Sequence, residues 1–197
     1  MRETDLIYAI RKLFPTSPRQ KNSLFTCDAE LVELGSTLYG LSMDEFSAEE
    51  DFFPATDPEA LGRNLAVAVI ADILAAGCLP EFYLHALVEP AGSEGFSLAL
   101  CRGAQHVLEA YGCFLLGGDM GRSSVSAGWR YTGLALGRLA DPQAGPLTRL
   151  LPPRPQTLWI TGSVGDGNLC ALSGRMPDFE TRLSEATSLC GKARACM

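Results

Sequence analysis

Residues 64–80 read Asn64-Leu-Ala-Val-Ala-Val-Ile-Ala-Asp-Ile-Leu-Ala-Ala-Gly-Cys-Leu-Pro80, and Asp72 is the only charged side chain between Arg63 and Glu81. The stretch predicts a helix over 58–76. Asp57 is a good cap with Pro58 at the first helical position, Gly77 ends the helix, and Pro80 prevents its continuation. Leu61, Leu65, Ala68, Asp72 and Ala75 recur at spacings of four, three, four and three. Asp72 therefore stands in line with apolar residues, not on a solvated face. No cation lies within one turn of it. Its carboxylate must reach water, find a distant partner or hold a metal, because an unpaired buried charge is too costly.

Outward from this helix the pattern predicts an α/β (α+β) fold. Residues 3–14 read as an amphipathic helix with Leu6, Ile7, Ile10, Leu13 and Phe14 on one side, and 15–22 as a loop. Residues 28–34 and 36–43 read as strands separated by Gly35. After the Asp72 helix come a strand (82–88), a helix (94–111), a short buried strand (113–116) running into Gly117-Gly118-Asp119, and a long strand (126–138). The core order β-β-α-β-α-β-β predicts a mixed sheet with helices on one face. The boundaries expected are an N-terminal domain over 1–140, a Pro- and Gly-rich linker over 141–155, and the truncated beginning of a second domain over 156–197. That last segment opens with a strand at 158–161, then the turn Gly162-Ser-Val-Gly165-Asp166-Gly167 and a helix start, with one more helix expected near 178–195.

The chain has 197 residues, 47% hydrophobic and 20% charged, which suits a folded domain and argues against global disorder. Its net charge of −7 and lack of a Lys/Arg run exclude a nucleic-acid footprint. An acidic chain still binds anionic nucleotides when metal ions or backbone N–H groups face the phosphates. The apolar run at 65–79 is broken by Asp72 and too short to span a bilayer. The charged opening Met-Arg-Glu-Thr-Asp and seven cysteines without a C-x-x-C pair point to free thiols in a reducing cytoplasm. Two histidines, His85 and His106, with scattered cysteines disfavour zinc, and both read as packing or surface residues.

Three other aspartates end or follow apolar stretches: Asp28, Asp44 and Asp119. Alone, Asp28 and Asp44 read as turn residues. With Asp72 and Asp119 they make a plausible magnesium site, since Mg²⁺ prefers oxygen ligands and bridges carboxylates to phosphates. Glycines 117 and 118 permit close approach of a ligand. The turn at Gly162, Gly165 and Asp166 suits a phosphate at a helix start, but no Gly-Lys-Ser/Thr follows. A serine nucleophile is not supported, because Ser123, Ser124 and Ser126 have no histidine nearby and no G-x-S-x-G is present.

Six segments in order resemble the superfamily of aminoimidazole ribonucleotide synthase, selenophosphate synthetase and thiamine-monophosphate kinase, most closely the last. They are Glu3-Thr-Asp-Leu-Ile7, Thr26-Cys27-Asp28-Ala29, Ser42-Met-Asp44 through Asp51-Phe52, Val69-Ile-Ala-Asp72 through Pro80, Gly117-Gly-Asp-Met-Gly121 and Ile160-Thr-Gly-Ser-Val-Gly-Asp166. The likeness covers about residues 3–174. It implies a sheet that pairs with a second subunit in a homodimer, and ATP bound through several Mg²⁺ ions. Asp28, Asp44, Asp72 and Asp119 fall on the metal-ligand positions; Gly117, Gly118, Asp119 and Arg122 fall on nucleotide-contacting ones. The implied reaction moves a phosphoryl group from ATP to thiamine phosphate. Cys27 stands where the family has the first Asp of a pair. Glu50 and Asp51 replace a Gly and a His, Val69 and Ala71 replace an Asn and a Ser, and Met120 replaces a Thr. The Arg-Ser-Gly-Ala segment after the linker is absent or reduced to Leu151-Pro-Pro-Arg154. The family's second domain, with its substrate pocket, is matched only through its first glycine turn. Two readings stand: a phosphotransferase, and a non-catalytic nucleotide-binding or structural relative.

Overall fold

The structure is a computed structural model that describes residues 2–51, 54, 56–93, 95–123, 128–151, 153–179, 182–189, 192–193 and 195–196. Ser124, Ser126, Phe52, Glu94, Pro152 and Cys190 lie outside the described residues. Helix α1 (Glu3–Arg11) precedes strands β1 (Glu30–Leu34) and β2 (Thr37–Ser47). Then follow α2 (Pro58–Ala75), β3 (Cys78–Glu89), α3 (Phe96–Tyr111), β4 (Phe114–Arg122), β5 (Arg130–Leu139), α4 (Asp166–Leu172) and α5 (Leu183–Leu189). The five strands form one mixed sheet in the order β1-β2-β5-β3-β4, with β3 and β4 parallel and the other pairs antiparallel.

Helix α2 forms for the reasons its sequence suggests. The Asp57 side chain accepts from the Ala60 N–H at 3.0 Å, and Gly77 closes the C-terminus with φ +76°. Leu61, Leu65, Ala66, Val69, Ile70 and Ile73 are fully buried between the sheet and α3. The two helices touch through backbone. A methyl added at Gly62 would collide with the Leu100 carbonyl, and one at Gly103 with the Glu59 carbonyl. Glycine is needed at both places for closeness, not for an unusual backbone angle.

The sheet's other face carries no helix from this pair. Antiparallel and parallel registers align Leu41, Leu136, Phe82 and Phe114 in one row across it, and Met43, Leu134, Leu84 and Gly117 in the next. Residues paired across strands share a face, so these rows are apolar and stand on the side away from α2.

Several expectations change. Strand β2 runs on to Ser47, so Asp44 lies within a strand and not after one. Strand β3 starts at Cys78 and contains Pro80, tolerated because the ladder is irregular between Pro80 and Phe82. The segment expected as a short buried strand is β4, an exposed edge strand that already includes Gly117-Gly118-Asp119. Its apolar letters mislead because Phe114, Leu115 and Leu116 have a neighbour on one side only. The long strand begins at Arg130, and residues 126–127 lie outside the described residues. Residues 158–161 form no strand: Leu158 and Trp159 are more than four-fifths exposed, and among the described residues no strand lies beside them to complete a ladder. The last helix shrinks to Leu183–Leu189. Among the described residues the apolar side of α1 packs into no core; Tyr8 meets Phe25 edge to face at 5.5 Å.

Candidate functional site

Asp72 resolves its charge through partners far away in sequence. Ser42 and Asp44 lie two residues apart on β2, so both face the helix layer. The Ser42 hydroxyl donates to Asp72 Oδ2 at 2.8 Å. Burial raises the Asp72 pKa; the Ser42 hydrogen bond opposes this, Asp28 raises it further and Arg149 lowers it. Asp44 is pushed up to about 6, by burial first and then by the Asp72 charge. Asp28 follows the 23–27 turn and meets Arg149, whose Nε donates to Oδ1 at 2.8 Å. Asp28 Oδ2 is buried and has no hydrogen-bond partner among the described residues.

Three of the four predicted carboxylates are thus electrostatically linked, Asp28 to Asp72 and Asp72 to Asp44. Asp119 does not join them. It pairs with Ala86, in the row Glu45–Thr132–Ala86–Asp119, whereas Asp44 sits in the adjacent row Asp44–Gly133–His85–Gly118. Adjacent rows point to opposite faces, and Asp119 is exposed on the face away from Asp72. Among the described residues no three His, Cys, Asp or Glu side chains close on one point. All the donors at Asp28, Asp72, Asp44 and Ser42 are oxygens, and Oδ2 of Asp28 is an orphaned acceptor. That set fits a hard divalent cation that keeps several waters and takes one or two carboxylates directly. It is less suited to a fully caged ion.

Gly117, Gly118, Asp119 and Arg122 share the exposed strand β4. A side chain at Gly118 would strike the His85 carbonyl, so β4 lies tight against β3 there. Arg122 pairs with the buried Glu89 at 3.2 Å. The turn at Gly162, Gly165 and Asp166 lies under the chain's own later segment. Arg182 stands where a Gly162 side chain would be, and the Phe179 ring lies 3.4 Å from the Cβ position of Gly167. His85 packs edge to face with Tyr131 at 5.7 Å, and burial lowers its pKa. His106 faces Glu59 at 3.5 Å on the surface.

Sequence reasoning missed Arg149 and Asn64. Arg149 lies in the expected linker, 121 residues from Asp28, with no local signal. Asn64 is 1% exposed. It donates to the Pro177 carbonyl at 2.6 Å and accepts from the Phe179 N–H at 3.0 Å, tying the C-terminal segment to α2. Its signal was a lone amide inside an apolar helix, the same anomaly that singled out Asp72.

The coupled acids give a pH dependence. Asp44 binds its proton more tightly in the folded chain (about 6) than at the ordinary carboxylate value of 3.8. The folded state therefore holds more protons between these values, and stability falls as pH rises through that window. Without metal, Asp44→Asn is expected to stabilise the chain at pH 7.5, by about 1–2 kcal/mol after allowing for partial exposure. At pH 3.5 the gain should vanish. Urea melts at the two pH values check this, and an equal effect at both would refute it.

A five-stranded mixed sheet with α2 and α3 packed on one face defines an α/β domain. The chain belongs to the AIR synthase related protein family: the family's N-terminal domain matches residues 27–139. It is 26% identical over 141 residues to thiamine-monophosphate kinase of Archaeoglobus fulgidus, covering 70% of this chain and 44% of that protein. Among solved structures it resembles tt0281 of Thermus thermophilus, with TM-score 0.78, 25% identity, and coverage of 98% of this chain and 66% of that one. It also resembles AaThiL complexed with AMPPCP and TMP, with TM-score 0.73, 20% identity, and coverage of 99% and 66%. The chain thus spans less than half the length of the curated relative and about two thirds of these structures.

Proposed function

We propose that the chain is a thiamine-phosphate-kinase-like protein that binds ATP with Mg²⁺ and passes a phosphoryl group to thiamine phosphate. The observation that carries this reading is the orphaned, buried Asp28 Oδ2 beside the linked carboxylates of Asp72 and Asp44. The curated relative's name and the AMPPCP and TMP bound to AaThiL support it. Asp28, Asp44, Asp72 and Ser42 would hold the ion, whose chemistry is to neutralise phosphate charge and fix its geometry. Ser42 orients the Asp72 carboxylate. The α2–sheet packing keeps water off one side of the pair. Gly117, Gly118, Asp119 and Arg122 meet the nucleotide from the exposed edge. Residues 1–140 form the nucleotide-binding domain, 141–155 the linker, and 156–197, with Gly162, Gly165 and Asp166, correspond to the beginning of a second domain.

A second reading, a nucleotide-binding relative without turnover, is favoured by one observation: Asp119 lies on the opposite sheet face from Asp44. Calorimetry with AMPPCP and Mg²⁺, followed by an assay for thiamine diphosphate from ATP and thiamine phosphate, separates the two. Absence of binding heat refutes both; heat without product selects the second.

In the same reading the chain is a cytoplasmic homodimer. No helix among the described residues is long and apolar enough to cross a membrane. The dimer would bury the rows Leu41–Leu136–Phe82–Phe114 and Met43–Leu134–Leu84–Gly117, in which Met43 is 64% and Phe114 66% exposed. Large apolar patches of this kind mark interfaces. Leu84→Lys is expected to convert a dimer to a monomer in sedimentation equilibrium. A monomeric parent chain would remove this part of the proposal.

A further inference from the structure

A cavity of about 370 Å³ lies between α2, α3 and the C-terminal segment, with no strand residue in its lining. That volume falls in the range of small-molecule sites. Val67 of α2 and Val107 of α3, both buried, line it together with Ala110 and Phe179. Three polar side chains stand around this apolar surface: Arg63, His106 and Asp178.

The buried Asn64 amide holds the C-terminal wall in place. It donates to the Pro177 carbonyl at 2.6 Å and accepts from the Phe179 N–H at 3.0 Å, the backbone groups on either side of Asp178. Pro177 is buried, whereas the Asp178 side chain is exposed on the cavity rim. Arg63, half-buried, precedes Asn64 on α2. One clamp therefore sets a cation on one wall and an anion on another. Among the described residues these two charges pair neither with each other nor with a third group. His106 is engaged elsewhere, facing Glu59 at 3.5 Å. A ligand of single charge would satisfy one of the two and be repelled by the other. A zwitterion satisfies both, and the apolar lining asks for a hydrocarbon part.

We propose that this cavity binds a zwitterionic small molecule with an apolar side chain, the class of the apolar α-amino acids. Arg63 takes the carboxylate, for which its planar fork of donors is suited. Asp178 takes the ammonium group. The side chain packs on Val67, Val107 and Phe179. The site shares no residue with the carboxylates of Asp28, Asp44 and Asp72, so it stands whether or not the nucleotide reading holds.

The test is proton–nitrogen NMR of the full chain at pH 7.5 without nucleotide. The chain is titrated with phenylalanine, with hydrocinnamate, which lacks the ammonium group, and with phenethylamine, which lacks the carboxylate. The chain has two histidines, so His106 reports on the cavity and His85 is the internal reference. Phenylalanine is expected to move the His106 ring signals and not those of His85. It should bind roughly fivefold tighter than either analogue, the scale of one partly exposed ion pair. Arg63→Gln should make phenylalanine no better a ligand than phenethylamine, and Asp178→Asn no better than hydrocinnamate. Neither side chain belongs to the buried core, so both variants keep the fold. Hydrocinnamate binding as tightly as phenylalanine would make this an anion site, and phenethylamine doing so a cation site; either result overturns the proposal. A His106 signal unmoved by all three probes, or selectivity unchanged in both variants, overturns it as well.

Discussion

Gly62→Ala is expected to lower the melting temperature by about 10 °C, equivalent to about 3 kcal/mol at this chain length. Two effects compete. Alanine is the better helix former, by about 1 kcal/mol in a helix interior. Against this, the added methyl would meet the Leu100 carbonyl carbon and oxygen directly, and the backbone of α3 cannot rotate away as a side chain would. Separating α2 from α3 also loosens Leu61, Leu65 and Leu100, all fully buried. The clash should win. Gly103→Ala, against the Glu59 carbonyl at the same crossing, should behave alike. The pair should cost less together than the sum of the two, because one helix shift relieves both. Thermal melts of the two single variants and the double variant check this; a neutral or stabilising Gly62→Ala would show that the helices do not cross so closely.

Asp72→Asn is expected to remove Mg²⁺-dependent nucleotide binding, with a loss of at least roughly tenfold in affinity, while leaving the fold intact. The amide keeps the size of the carboxylate and still accepts from the Ser42 hydroxyl, which now donates to Asp72 Oδ2 at 2.8 Å. It also lifts the charge that helps push the Asp44 pKa up, so the variant should be at least as stable as the parent at neutral pH without metal. Loss of binding with unchanged or higher stability is the signature of a ligand-binding carboxylate. Loss of both would mean that Asp72 is structural. Calorimetry with AMPPCP and Mg²⁺, paired with a urea melt, distinguishes these.

Much of the fold is legible in the sequence because it is written in local terms. The Asp57-Pro58 start and Gly77 stop of α2 depend on neighbours a few residues away, and so does the alternation that makes β5 a strand. The misreadings have a common cause. Phe114 to Leu116 and Leu158 to Ile160 are both apolar runs, yet the first is an exposed edge strand and the second forms no strand. Apolar letters report that a segment is able to be buried. Whether another strand or helix is there to bury it is a property of the whole sheet. The expectation that Asp44 follows a strand end fails for a related reason: β2 is extended to Ser47 by its pairing with β5, which local propensity does not contain.

The site divides along the same line. The order of residues is enough to establish that Asp72 needs a partner, since an apolar helix face leaves no cheap place for a charge. Ser42 and Asp44 come to share a face only once pairing with β5 carries β2 past residue 43. Which charges meet is settled by packing. Folding brings Arg149 across 121 residues to Asp28, and strand register puts Asp119 on the far face of the sheet from Asp44. Spacing along a helix or strand fixes direction only within that element. Long-range electrostatic pairing depends on how elements pack, and a one-residue change of register reverses the face on which a charge appears.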